Sequence, residues 1–196
     1  MMLCFIALSF WGCASGPDRD TLERISSYTR AAGSGKAQLS QEELLLYEKL
    51  NLYRAEHKLP PIPLSPALTL VAQTHVRDMF RHPARGKCNC HSWSDDGPWS
   101  PCCYTDDHAQ AQCMWDKPRQ LTSYTGDGFE ISHYGSNGYV ATAESSLRGW
   151  QGSRPHNAVM LNKGIWKDVK WGAVGVGIYK SQAAIWFGKE ADESAQ

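Results

Sequence analysis

The sequence has no excess charge of either sign. Its 20 lysines and arginines balance 20 aspartates and glutamates, so the formal net charge of the 196-residue chain is zero. Nucleic-acid-binding domains usually carry a basic patch or stripe, and this composition gives no indication of one. The chain is long enough for one domain with a sizeable core, and we expect no nucleic-acid partner.

The sequence also lacks the motifs of common hydrolases. It contains no HExxH motif, which places two zinc ligands on one helix, and no GxSxG motif, which presents a nucleophilic serine. No paired-carboxylate motif is present either. These absences favour a protein that binds a ligand without turning it over, and they leave catalysis as the alternative.

No apolar run is long enough for a membrane-spanning helix, which needs about 20 residues. Residues 1–14 are apolar and uncharged, which is typical of the central region of a signal peptide. Two processing routes stay open: cleavage by a signal peptidase, or a lipobox in which Cys13 is lipidated. Either route predicts export, to the cell envelope or outside the cell, and a membrane contact only through a lipid on Cys13.

Cysteines are concentrated in one loop-like region between residues 81 and 115. Of the seven cysteines in the chain, five fall in this region: Cys88, Cys90, Cys102, Cys103 and Cys113. Their spacings are not the CxxC pairs of zinc ribbons. Because exported proteins meet an oxidising environment, we expect two disulfides and one cysteine left over, with a thiolate zinc site as the alternative.

The remaining sequence predicts a single folded domain at residues 40–189, between a polar tether at 15–39 and a polar tail at 190–196. Ser40 and Glu43 form a capping-box pattern before a helix, and Ser65 followed by Pro66 starts a second helix. Residues 144–161 read as a helix interrupted at Pro155. Residues 173–179 and 183–187 read as two strands of a hairpin.

Residues 150–188 carry a recognisable order of motifs. Trp150, Ser153 and His156 precede Met160-Leu161-Asn162, and a Gly175-Val176-Gly177 strand and an Ile185-Trp186-Phe187-Gly188 strand follow. This order resembles the C-terminal half of bacterial members of the CAP superfamily, which includes secreted cysteine-rich, allergen and pathogenesis-related proteins. The resemblance implies an α+β fold, a three-layer α-β-α sandwich.

The same resemblance implies a solvent-open cleft formed by histidines and a glutamate. It proposes His91, Glu130 and His156 for this cleft, together with Ser153, which occupies the place where some relatives carry a second glutamate. His91 and His156 are then candidate ligands of a divalent metal, zinc above all. His75, on the apolar face of the second helix, is interpreted as a core histidine whose polar atoms are satisfied.

Three functions follow from these observations. The first is an exported protein that binds a ligand in the His/Glu cleft, either a metal ion or a small apolar or lipid molecule. The second is a metal-dependent hydrolase of peptide or cell-envelope polymer. The third is a structural envelope protein whose cysteine loop contacts a partner. The sequence names neither the ligand nor the oligomeric state.

Overall fold

The structure is a computed structural model that describes residues 18–24 and 38–195. The predicted signal segment with Cys13, and most of the predicted tether, lie outside these residues. Within the described ranges no helix is both long and apolar enough to cross a bilayer.

The first two helices begin where their capping residues predict. Helix α1 spans Gln41–Glu56, and Ser40 and Glu43 form the expected capping box. Helix α2 spans Pro66–Arg81, with the Ser65 side chain accepting from the Leu68 N–H and proline in the first turn. Both starts were set by local chemistry, because each cap satisfies amide groups that the helix itself leaves without partners.

Shorter helices and a three-stranded sheet complete the fold. Helices α3 and α4 span Ala111–Trp115 and Lys117–Leu121. Strand β1 spans Gly128–Tyr134, and helices α5 and α6 span Ala143–Gly152 and Arg154–Met160. A 3₁₀ turn at Gly164–Trp166 precedes strands β2, Ala173–Tyr179, and β3, Gln182–Gly188, and a second 3₁₀ turn lies at Glu193–Ala195.

The sheet is antiparallel in the order β1-β3-β2. The β2–β3 pair is the predicted hairpin, with Tyr179 opposite Gln182. Strand β1 pairs with β3 so that Glu130 lies opposite Trp186. Glu130 therefore sits on a strand and is 9% exposed.

Helices cover both faces of the sheet, which gives the predicted α-β-α sandwich. Helix α2 packs on one face with Ala173, Ala184 and Trp186. Helices α1, α5 and α6 pack on the other face, where the alternate strand residues point: Phe129, Ile131, Val174, Val176, Ile185 and Phe187. Each strand thus divides its side chains between two cores, as the alternation of a strand requires.

Helix α2 lies directly against strand β2 because that strand has glycine at two positions facing it. A Cβ at Gly177 would lie 2.5 Å from the carbonyl carbon of Ala72, and a Cβ at Gly175 would overlap the backbone of Leu68. Backbone atoms cannot move aside as a flexible side chain can. The two glycines therefore fix how close α2 comes to the sheet.

We expect Gly177→Ala to destabilise the fold by roughly 3 kcal/mol, because the added methyl group forces helix and strand apart. Urea unfolding followed by circular dichroism measures the change. Gly152→Ala is the matched control, since nothing lies within 4 Å of the added Cβ there. Equal midpoints for the two variants would show that α2 can shift at no cost.

Candidate functional site

A cavity of about 1130 Å³ opens along strand β1, at an edge of the sheet. Its walls come from α2, the cysteine loop, α3, β1, α6 and the turn after α6. Apolar side chains form most of them: Met79, Ala111, Met114, Trp115, Phe129, Ile131, Val159, Ile165 and Trp166. The polar lining includes Glu130, His91 and His156. The structure thus brings the three predicted cleft residues to one cavity.

Glu130 is a buried carboxylate that accepts three hydrogen bonds. Its Oε1 accepts from His75 Nδ1 at 2.5 Å and from Trp186 Nε1 at 2.8 Å. Its Oε2 accepts from His91 Nδ1 at 2.7 Å. Burial by itself would raise the pKa of Glu130, but the charge and hydrogen bond of His75, with those of His91, lower it to about 2.

His75 is buried with a hydrogen bond at each ring nitrogen. Nδ1 bonds to Glu130, and Nε2 lies 2.9 Å from the carbonyl oxygen of Ser92. A carboxylate and a carbonyl only accept, so both ring nitrogens must donate and the ring is an imidazolium. Burial alone would lower the pKa of His75, but the Glu130 charge outweighs it and raises the pKa.

His75 thereby fulfils its predicted role as a satisfied core histidine, and it also supports the site. Its ring stacks on Trp93 with centroids 4.3 Å apart. Sequence reasoning did not connect it to Glu130. The signal that could have done so is a polar residue at a buried helix position, because such a residue requires a partner from the sheet it faces.

Two disulfides hold the loop that carries His91. Cys88 pairs with Cys103, and Cys102 pairs with Cys113. Two bridges with one cysteine left over is the predicted arrangement, and Cys90 is the free thiol. Cys90 lines the cavity, where burial and the charge of Glu130 raise its pKa to about 11.

His91 uses one of its two ring nitrogens in hydrogen bonding within residues 38–195. Nδ1 donates to Glu130, while Nε2 has no hydrogen-bond partner within residues 38–195. The ring contacts Tyr104 edge-on, with centroids 5.3 Å apart. Tyr104 also bonds to His108 Nδ1 at 2.8 Å. Tyr104 and His108 both line the cavity, and sequence reasoning missed both.

His156 reaches the same cavity from helix α6. Burial lowers its pKa, and the nearby charge of His91 lowers it further, against an opposite effect of Glu130. The ring is therefore neutral at pH 7 and has a nitrogen lone pair available to a ligand. Ser153, predicted for the cleft, is half-buried at the N-cap position of α6, where its side chain makes no capping hydrogen bond, and it is absent from the cavity lining.

The donors in this cavity do not complete a metal site. Across the described residues no group of three His, Cys, Asp or Glu side chains is arranged to hold a metal ion. Both Glu130 oxygens already accept N–H donors, which leaves His91 and His156 as two imidazoles without a third ligand. A catalytic zinc usually has three protein ligands, so the residues present fit zinc incompletely.

The sequence model of the cysteine-rich secretory protein family, CAP, matches residues 47–187. The chain belongs to the CAP family. No curated protein matches it. The family model confirms the predicted family, and solved structures with the same architecture confirm the predicted fold.

Three solved structures are similar to this CAP protein. An extracellular SCP-domain protein of Bacillus anthracis aligns with TM-score 0.52 and 15% identity, covering 79% of this chain and 45% of that one. A Staphylococcus aureus cysteine-rich secretory protein aligns with TM-score 0.50 and 16% identity, covering 79% and 41%. An outer surface protein of Borrelia burgdorferi gives TM-score 0.52 and 12% identity, covering 80% and 98%.

These likenesses concern the fold. This chain matches less than half of the B. anthracis and S. aureus proteins. The B. anthracis protein is extracellular, and the B. burgdorferi protein is an outer surface protein.

The Glu130–His75 pair predicts a pH optimum for stability. The stabilisation that comes from ionised Glu130 is fully present above the ordinary glutamate pKa of 4.5, and it is lost as the pH falls toward about 2. His75 contributes fully below the ordinary histidine pKa of 6.5, and its contribution is lost as the pH rises through its raised value. We expect the urea midpoint to be highest between these two ordinary values.

Glu130→Gln should flatten this profile and lower the free energy of unfolding by about 3 kcal/mol at pH 6, because it leaves the His75 imidazolium without its counter-charge. The control is Glu144→Gln, which removes an exposed carboxylate that bonds to Lys49 and Arg148. A pH profile of Glu130→Gln that matches the wild type would show that the pair is not ionised as described.

The disulfide pairing predicts which cysteine of the loop reacts. After unfolding without reductant, iodoacetamide should label Cys90 alone among residues 88–113, which tandem mass spectrometry can locate. In the folded protein at pH 7 labelling should be about tenfold slower than after unfolding, because the thiol is buried and protonated. Label on Cys88 or Cys103 would overturn the pairing.

Proposed function

We propose that this protein is an exported, non-catalytic CAP-domain protein that binds an apolar molecule carrying one polar group in the β1 cavity. The observation that carries this proposal is that the cavity lining combines apolar walls with a group of polar side chains. Twelve of the lining side chains are apolar, while three histidines and Glu130 contribute to its polar lining. Ligand pockets of this kind typically enclose about 300–1,000 Å³, and about 1130 Å³ leaves room for a lipid-sized molecule.

The polar end is suited to fixing a head group. His91 Nε2 has no partner within residues 38–195, and His156 makes no side-chain hydrogen bond there while its lowered pKa keeps it neutral. Tyr104 and His108 add a bonded pair beside them. A hydroxyl, carboxyl or amide group would find both donors and acceptors at this end.

The state of Glu130 argues against a role as general base. Its pKa of about 2 makes it a weak base at neutral pH, and general-base catalysis works best when the pKa lies near the working pH. Three N–H donors also occupy its two oxygens. We therefore assign Glu130 to holding His75, His91 and Trp186 in place.

A metal ion at His91 and His156 is the second candidate. It is favoured by two imidazoles on one cavity and by the neutral state of His156, since a ligating nitrogen must be unprotonated. A metal-dependent hydrolase would need this site first. Because the described residues supply no third metal ligand, we rank a metal ion below the apolar molecule as the occupant of the cavity.

A fluorescent apolar probe, phenylnaphthylamine, tests the proposed cavity. We expect saturable binding to the wild type, and loss of binding in Ala111→Phe on α3 and in Val159→Phe on α6, because each adds a ring to the cavity lining. Urea unfolding verifies that each variant folds. Probe binding that survives in both folded variants would place the ligand elsewhere.

The polar end is tested with fatty acids that displace the probe. His156→Ala should weaken displacement by up to about tenfold, the contribution of one hydrogen bond. His82→Ala is the matched control, because His82 is exposed, pairs with Asp96 and does not line the cavity. Equal affinities for the two variants would remove His156 from the head-group site.

Zinc titration by calorimetry distinguishes the second candidate. Under the leading proposal we expect no stoichiometric binding. Stoichiometric binding that is lost in both His91→Ala and His156→Ala, and kept in His82→Ala, would establish the metal site and justify a screen for hydrolysis.

A further inference from the structure

The turn after helix α6 exposes an isoleucine at the rim of the cavity. Ile165 is 88% exposed, the highest value among the large hydrophobic side chains that the structure describes. Both Ile165 and its neighbour Trp166 line the cavity. Single exposed apolar residues are common on protein surfaces, so the exposure gains significance only from its surroundings.

Hydrogen bonds and ring contacts hold this turn in place. Asn162 donates to the carbonyl oxygen of Val169 at 2.8 Å, and its own side-chain oxygen accepts from buried Arg54 at 2.7 Å. The Trp166 ring packs against Phe129 and Trp171 with centroids 5.3 Å and 5.4 Å away. The folded turn therefore presents Ile165 outward as a fixed feature.

Basic residues surround this isoleucine. Residues 154–170 contain four basic side chains and one acidic one, Asp168, a net charge of +3 in a chain whose total is zero. The four are all exposed: Arg154, Lys163, Lys167 and Lys170. Lys189 adds a further cation, with its Nζ 5.0 Å from the centroid of Phe129.

The part of the cysteine loop near the cavity differs. There the exposed cations Arg85 and Lys87 are balanced by exposed Asp106 and Asp107. The positive charge is thus concentrated on the Ile165 side. The patch formed by residues 154–170 with Lys189 is called the rim patch below.

We propose that the rim patch docks on an anionic lipid bilayer. Ile165 enters the head-group region, and the lysines extend their ammonium groups to the lipid phosphates. Aliphatic and aromatic side chains flanked by lysines bind at the membrane interface in this way, and each nearby cation strengthens attraction to anionic lipids. Docking would place the mouth of the cavity at the bilayer surface.

A protein partner fits the rim patch less well. A stable interface buries about 800 Å² on each side, whereas this patch exposes one large apolar side chain among charges. A second copy of the chain would bring two positive patches together, because a two-fold interface pairs the same surface with itself. Like charges disfavour that contact, whereas the negative charge of an anionic bilayer complements the positive charge of the rim patch.

Sedimentation with lipid vesicles tests the proposal on the full chain. Binding to vesicles of phosphatidylcholine and phosphatidylglycerol is compared with binding to phosphatidylcholine alone. Every variant keeps the same N-terminus, so any contribution of residues 1–14 is common to all. We expect stronger binding to the anionic vesicles, weakened by added salt.

Two variants and two controls locate the contact. Ile165→Ser should weaken binding to anionic vesicles by about tenfold, because an apolar side chain no longer enters the interface. Lys163→Gln/Lys167→Gln should weaken it by about tenfold or more. Val140→Ser, which changes a side chain 66% exposed and outside the cavity, and Lys58→Gln/Lys180→Gln should each leave binding within about twofold.

Three results would overturn the proposal: no preference for anionic vesicles, Ile165→Ser binding like Val140→Ser, or self-association in solution that Ile165→Ser abolishes. The last would make a second copy the occupant. The test is separate from the cavity ligand, because phenylnaphthylamine binding by Lys163→Gln/Lys167→Gln in solution reports on the cavity alone.

Discussion

The structure depends on one buried carboxylate. Glu130 receives an N–H from each of three parts of the chain: His75 on helix α2, Trp186 on strand β3 and His91 in the cysteine loop. A buried charge without partners would be very costly, so these parts must assemble around it together. The pair with His75 need not be a large net source of stability, since desolvation opposes it. The effect of the pair is to fix the positions of the two side chains.

The fixed positions of these side chains determine which chemistry the cavity offers to a ligand. The carboxylate is fully engaged in holding other groups, so the chemistry available to a ligand belongs to the side chains it positions. His91 is oriented by its bond to Glu130, and His156 comes independently from helix α6. One polar end beside extended apolar walls is the consequence. Buried Glu130 thus supports the site indirectly, through the side chains that it holds in place.

Local chemistry predicted helices α1 and α2, the interrupted helix that forms α5 and α6, and the hairpin. It did not predict strand β1, or the short helix α3 within the region interpreted as loop-like. Ser40, Glu43 and Ser65 act within one helical turn, so their effect is readable from sequence alone. Strand β1 alternates Phe129 and Ile131 with Glu130 and Ser132, a strand pattern with its polar face turned inward. Burial of that face became possible only through His75 and Trp186, which are 55 and 56 residues away. Such a partner cannot be found from spacing along the chain.

The cysteine loop shows why the site also depends on an oxidising environment. His91 lies in a segment with little regular secondary structure, so no helix or sheet ladder fixes its ring. Two disulfides with sequence separations of 15 and 11 residues supply the constraint instead, and bridges of this kind persist in oxidising compartments. In a reducing compartment the His75 and Trp186 bonds to Glu130 would still rest on helix and sheet, whereas His91 would lose its support. The polar end of the cavity is therefore the part of the fold that depends most directly on the redox state of its surroundings.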